Sequence, residues 1–482
     1  MELLITIGGF VCAAGIMFIF RKQRAIARST SVLASIIAII EVSFIAFKVA
    51  DTGLYSPFPF FSIDGLGAII LLIIVIIGIV TNIYSLEYFR QEKAKHIIGS
   101  TRIKQYFMLL NLFLAAMVTA VSANNPIMAW ISIEATTLST AFLISFYNKS
   151  SAIEAAWKYL VINSIGLLLG FFGTLLYFIP VNELLEKGDM ISWHLLTANA
   201  AHLDPMIAKI AFIFVLIGYG TKVGMVPMHT WKPSAYTKAP TPLGALLSGA
   251  LLPVAFMMIL RLKILTDISA GPLFSQHLLI GFGLLSIAVA SFIIPVLTNY
   301  KRLLAYSSIE NAGVMALGFG FGGIGIMAAL LHMIYHSLIK SALFLSSGNF
   351  LLRYHSARIK DVKGAIKAIP FTSVIFMVGF LAITGAPPFG ILMSKILILA
   401  AGMKQYPFVS VVALLLMEIL FFGFLKHVSS MLFGDKPSEV ESGEKNIWLI
   451  IPPLVLLVIV LYLSISMPSF LQKLLNNAVN QY

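Results

Sequence analysis

The chain has 482 residues, of which 59% are hydrophobic and 11% charged. So apolar a composition excludes a soluble globular protein, and long apolar runs rather than alternating ten-residue strands exclude a transmembrane β-barrel. The net charge of +13 falls in short segments between the apolar runs, which reads as a bias toward one membrane face and not as a nucleic-acid surface. Cys12 is the only cysteine, so this chain has no disulfide framework and no cysteine-ligated iron–sulfur cluster.

Taken in order, the apolar runs predict an all-α integral membrane protein of about fourteen spans. They are 1–20, 29–49, 65–85, 106–123, 126–147, 155–178, 207–227, 241–262, 277–297, 303–320, 325–351, 370–386 continuing as 389–403, 407–425 and 447–468. The first run has no basic stretch ahead of it. Its basic cluster, Arg21 to Arg28, follows, as expected of a retained helix rather than a cleaved signal. The longest segment outside the spans, Pro180 to Met206, carries Trp193 and His194. Loops after odd-numbered spans hold about 22 of the 33 lysines and arginines, and those after even-numbered spans with the tail about 7. This asymmetry predicts a protein of the cytoplasmic membrane with its odd loops inside and both termini outside.

Span 7 is interrupted. Gly218 to Pro242 reads GYGTKVGMVPMHTWKPSAYTKAPTP, with Lys222 inside the apolar run and Gly224, Pro227, Pro233, Pro240 and Pro242 behind it. Span 12 repeats the pattern in TGAPPFGILMSKILIL, Thr384 to Leu399, where Lys395 follows a Gly/Pro break. Broken membrane helices are tolerated where the freed backbone groups meet protein or a wet cavity, and a charge beside such a break marks an ion site. The two breaks lie five spans apart. An odd offset gives the two halves opposite orientations, so spans 4–8 (106–262) and 9–13 (263–430) are expected to be inverted repeats. They are flanked by an N-terminal unit, 1–105, and by span 14 with its tail, 431–482.

A charge at a helix centre costs about 2.5–3.5 kcal/mol on insertion scales, so those present call for a reason. Glu134 lies in span 5, Lys158 near the start of span 6, Lys222 and Lys395 at the breaks, Lys340 in span 11 and Glu418 in span 13; Glu41 stands alone in span 2. His332, His336 and Lys340 repeat at i, i+4 and i+8, which puts them within about 80° of one helix face and along about 12 Å of depth. Imidazoles and an amine stacked so can pass protons through intervening water. The plainer readings are structural ion pairs for Lys158 and Glu418, and packing histidines in span 11. The histidine pair lacks a third metal ligand, and no phosphate loop, dinucleotide fingerprint or nucleophile–base pair is present.

Five stretches carry a resemblance: FFSIDGLGA from Phe60, GTKVGMVPMHTWKPSAYTKAPTPLGALLSG from Gly220, KRLLAYSSIENAG from Lys301, HMIYHSLIKSALFLSSG from His332 and GAPPFGILMSK from Gly385. Over nearly its whole length the chain resembles the antiporter-like membrane subunit shared by respiratory complex I, membrane-bound NiFe hydrogenases and multisubunit cation/proton antiporters. IEATTLSTAFLI is most similar to component F of hydrogenase-4-type complexes. The resemblance implies fourteen helices, two inverted five-helix repeats, discontinuous helices 7 and 12, and a proton path along polar residues at the membrane midplane. It assigns Glu134, Lys158, Lys222, Lys340 and Lys395 to the family's charged positions in spans 5, 6, 7, 11 and 12, and His332 and His336 to its span-11 histidines. The resemblance assigns no role to Glu418, which joins the set by its intramembrane position. Iron–sulfur clusters, a NiFe centre or a flavin are then expected only in peripheral partner subunits, beside other antiporter-like subunits in the same bilayer.

Two departures stand out. Pro253 lies where many relatives have a lysine or histidine in span 8, and Asn311, beside Glu310, replaces a frequent histidine. The family's long lateral C-terminal helix is not expected from the residues after span 14. The resulting expectation is an ion pair between Glu134 and Lys222, with the proton leaving Lys222 along Lys340 and the histidines toward Lys395. The function expected is proton translocation within a multisubunit oxidoreductase; a cation/proton antiporter subunit without a redox partner, or a structural anchor with a decayed channel, are the alternatives.

Overall fold

The computed structural model describes residues 1–19, 24–181, 191–444 and 446–481, without the side chains of 24–28. The basic cluster at Arg21 to Arg28 and the middle of the 180–206 segment therefore lie largely outside the described residues. Numbered to follow the spans, the helices are α1 (Glu2–Ile19), α2 (Arg24–Thr52), α3 (Gly65–Ala94), α4 (Ser100–Ser122), α5 (Pro126–Ile144), α6 (Ser150–Leu176), α7a (Pro205–Val223) and α7b (Trp231–Lys238). They continue with α8 (Thr241–Ala270), α9 (Pro272–Ile293), α10 (Tyr300–Phe321), α11 (Ile324–Tyr354), α12a (Pro370–Thr384), α12b (Gly390–Gln405), α13 (Pro407–Leu432), α14 (Ile451–Ile465) and α15 (Ser469–Val479).

Among the described residues, 11 helices are long and apolar enough to cross a membrane. The broken α12, α10 with Lys301, Arg302 and Glu310, and the short α14 complete the expected set. Several helices start at side-chain caps that satisfy free N–H groups. Asp64 accepts from Gly67 N, Asn125 from Ile127 and Met128 N, and Asp204 from Met206 and Ile207 N. Pro126 and Pro205 occupy first-turn positions where no donor is needed.

Several helices outrun their apolar runs. α3 continues to Ala94 and α8 to Ala270, because polar residues end an apolar stretch without ending backbone hydrogen bonding. A two-stranded hairpin, Tyr55–Phe58 against Phe61–Ile63, links α2 to α3. α15 turns 77° away from α14 and lays Leu471, Leu474, Leu475 and Ala478 inward, with Gly65 of α3 packed directly on its backbone. It is a short amphipathic helix that the apolar-run reading did not separate from span 14.

Both breaks are built alike. α7a ends at Gly224 (φ +80°) and α12a at Gly385 (φ +99°), left-handed conformations that favour glycine. A cis prolyl bond follows each, at Val226–Pro227 and Pro387–Pro388. Lys222 precedes its break, whereas Lys395 follows its own, in the second turn of α12b. α4 packs on α5 as α9 packs on α10. α8 is buried without a break from Thr241 to Lys263. Pro253 does not interrupt it: the turn Leu247–Leu251 widens to a π-helix just ahead, where the proline's missing donor and its clash with the carbonyl four residues earlier would otherwise fall.

Candidate functional site

The site begins at the crossing of α6 and α7a. A methyl group at Gly218 would stand 2.3 Å from Gly170 N, so only glycines allow this approach. The close crossing sets Lys222 against Tyr159 of α6 and Thr137 of α5. The Lys222 ammonium, about 1% exposed, donates to Thr137 Oγ1 (2.7 Å) and Tyr159 Oη (2.8 Å). Glu134 is one step further out: Thr137 Oγ1 donates to Glu134 Oε2 (3.3 Å), and Ser164 Oγ donates to Glu134 Oε1 (2.7 Å). The expected direct ion pair is therefore corrected to a pair bridged by a hydroxyl, since Thr137 occupies the space one helical turn from Glu134.

The second half of the break supplies a group that the sequence reading left in a loop. Lys232 is buried on α7b, and its ammonium donates to the carbonyl of Val223 at 2.8 Å, one of the groups freed where α7a ends. It is close enough to His336 and Lys340 to act on both electrostatically. A buried amine outside α8 thus stands within electrostatic reach of the α11 groups, while Pro253 leaves α8 without one at its position. Its only signal was a lysine set among prolines and an aromatic residue, WKPS, which resembles loop composition.

His332, His336 and Lys340 lie on one buried face of α11, as their spacing predicts. The two imidazole rings stack with centroids 6.4 Å apart. Lys340 Nζ donates to Leu304 O at 2.6 Å. Neither ring nitrogen of His336 has a hydrogen-bond partner among the described residues. His332 is held on both sides, by Asn311 Oδ1 (3.0 Å) and by Ser394 Oγ (3.0 Å). Asn311 directs its amide nitrogen to Ser307 O (2.7 Å) and to Glu310, so its oxygen faces the imidazole and Nε2 is the donor. Ser394 also faces the carbonyl of Ile391 at 2.8 Å. Its single proton serves either that carbonyl or His332 Nδ1, so its rotation is coupled to the protonation of the ring.

Ser394 adjoins Lys395, whose ammonium lies 3.3 Å from Glu310 Oε1; both side chains are buried. The second half of the molecule therefore holds its buried lysine in direct contact with a carboxylate, where Lys222 in the first half reaches Glu134 through Thr137. Asn311 keeps this cluster connected by linking Glu310 to His332.

Two of the expected site residues lie elsewhere. Lys158 is on an exposed face of α6, paired one turn away with Glu154 at 2.5 Å, although its neighbour Tyr159 points inward to Lys222. Glu418 is exposed on the outer face of α13. Apolar residues surround both charges on these helices, so nothing in the sequence indicates which way either one points. Among the described residues no group of three or more His, Cys, Asp and Glu side chains is placed to hold a metal.

The family described as NADH:quinone oxidoreductase/Mrp antiporter, TM, matches residues 123–421. The hydrogenase-4 component F homolog of Methylacidiphilum infernorum (isolate V4) is 37% identical over 353 residues, covering 73% of this chain and 74% of that protein. A chain of the membrane-bound sulfane sulfur reductase, an archaeal respiratory membrane complex, superposes with a TM-score of 0.88 at 20% identity, covering 99% of this chain and 97% of its own. One from the Mrp complex of Dietzia sp. DQ12-45-1b gives 0.86 at 18% identity, covering 100% and 97%. The fold is thus that of the antiporter-like subunits, and the chain belongs to the NADH:quinone oxidoreductase/Mrp antiporter family of membrane proteins.

Proposed function

We propose that this antiporter-like membrane subunit moves protons through its interior, coupled to electron transfer in partner subunits of a hydrogenase or NADH:quinone oxidoreductase type of complex. The observation that carries the reading is the row of buried ionisable groups from Lys222 through Lys232, His336 and Lys340 to His332, Glu310 and Lys395, with the half-buried Glu134 at its head, strung between two broken helices. Each charge buried at such depth is costly, and a purely structural element has no need of so many.

In this reading the proton load of Lys222 is set by Glu134 through Thr137. Unloading Lys222 passes a proton by way of Lys232 to His336, whose ring nitrogens are open to a donor, and on through Lys340 and His332 to the Lys395–Glu310 pair. Each transfer changes the charge facing the next group, and in a low-dielectric interior that shifts its proton affinity strongly. Electron carriers reside in peripheral subunits, and neighbouring antiporter-like subunits flank this one in the cytoplasmic membrane. The test is proton translocation into vesicles carrying the assembled complex with Lys222→Ala or Lys395→Ala. Both are expected to lower it at least ten-fold; unchanged translocation in both overturns the reading.

A further inference from the structure

A second group of buried polar residues lies between the row just described and the membrane face that carries the lysine- and arginine-rich loops. Glu92, near the end of α3, is 4% exposed. It borders a surface recess lined also by Lys95, Ile97, Tyr147, Lys149, Leu352 and His355. Tyr147 donates to Glu92 Oε1 at 2.6 Å, while Oε2 has no partner among the described residues. The hydroxyl of Tyr88, one turn further in, neighbours Glu92, Tyr147 and Thr241 without closing a hydrogen bond to any of them. Thr241 Oγ1, at the start of α8, is likewise buried and unpartnered.

Tyr236 of α7b continues the line. Its hydroxyl is buried and unpartnered, faces Ser248 of the π-helical turn, and its ring packs on Phe344 of α11 with centroids 5.4 Å apart. Thr241 and Ser248 are seven residues apart on α8, about 10 Å along the axis. His336, with both ring nitrogens unpartnered, borders the backbone of Ser248. Buried polar atoms left unbonded cost about 1–3 kcal/mol each, and in native proteins ordered water ordinarily satisfies them. Here they gather along one route from the recess to the midplane.

We propose that Glu92 is the entry group of a proton-uptake path running past Tyr88 and Thr241 to Tyr236 and Ser248, and so to His336 and Lys232. The proposal rests on the proton-translocating function argued above. The Glu92 carboxylate takes a proton from water in the recess and releases it inward to water held by the Tyr88 and Thr241 hydroxyls, returning to the carboxylate. Lys149 at the recess and the buried Lys301 act on it electrostatically. Thr241, Tyr236 and Ser248 belong to the segment that follows the α7a break, so the break beside Lys222 also lines the way in.

The test uses membranes with the assembled complex, reading protons translocated per electron transferred with a pH-sensitive dye. Glu92→Gln preserves an acceptor for Tyr147 and the side-chain volume, and is expected to lower the ratio at least five-fold while electron transfer continues; Glu92→Asp is expected to keep most of it. The double change Tyr88→Phe with Thr241→Val leaves Glu92 in place and is expected to lower the ratio as well. A wild-type ratio in both Glu92→Gln and the double variant, where Lys222→Ala is impaired, overturns the proposal. A wild-type ratio in Lys222→Ala overturns the underlying function instead. If Glu92→Gln fails to assemble, the double variant alone decides.

Discussion

The ammonium group of Lys222 meets the hydroxyl of Thr137 at 2.7 Å, and only through that hydroxyl does it reach Glu134. In the other half Lys395 lies directly on Glu310, at 3.3 Å. The two halves thus hold their lysine–carboxylate pairs differently, one through a rotatable hydroxyl and one in contact. A hydroxyl bridge transmits the charge of Glu134 more weakly than contact does, and it leaves Lys222 freer to give up its proton.

Thr137→Val removes that bridge at constant volume. Hydrogen bonds to charged groups contribute about 1.5–3 kcal/mol, so its loss is expected to slow proton translocation roughly ten-fold or more. Thr137→Ser, which retains the hydroxyl, is expected to restore most of the rate. Translocation rates of the two variants in vesicles, normalised to assembled complex, check this.

Asn311→Leu leaves Glu310 and His332 Nε2 without their shared partner. Unsatisfied buried groups cost about 1–3 kcal/mol each, so the midpoint of thermal unfolding in detergent is expected to fall by several degrees. Translocation is expected to fall with it, because the contact from His332 to Glu310 is cut. An unchanged midpoint would show that Asn311 does not organise the cluster.

Lys158→Ala is expected to leave both translocation and thermal midpoint at wild-type values. Its side chain and that of Glu154 are both more than half exposed. Measured beside Lys222→Ala, it separates a charge on the surface of a helix from one inside the bundle.

How far the sequence anticipated this site depends on the kind of residue. Lys222, Lys340 and Lys395 were legible because a charge in an apolar run is costly wherever it points. The histidines of α11 were legible because i, i+4 spacing fixes a common face. Lys232 was not, since it lies among prolines that mimic a loop, and only the fold reveals that α7b is buried. Thr137 was silent because serine and threonine hydroxyls in helices ordinarily bond the carbonyl one turn back, as Thr140 does to Thr136 O at 2.6 Å. For Lys158 and Glu418 the run of apolar residues on all sides carried no directional information. Pro253 looked like an obstacle in the sequence, whereas the π-helical turn ahead of it keeps α8 continuous.

In the proposed function the proton leaves Lys222 by way of Lys232, the buried amine on α7b. Lys232→Met retains the length of the side chain and removes the amine, and the most direct measurement is protons translocated per electron in membranes carrying the assembled complex. The account predicts that this ratio falls at least five-fold while electron transfer continues. A wild-type ratio in Lys232→Met, with Lys222→Ala impaired in the same membranes, would contradict it.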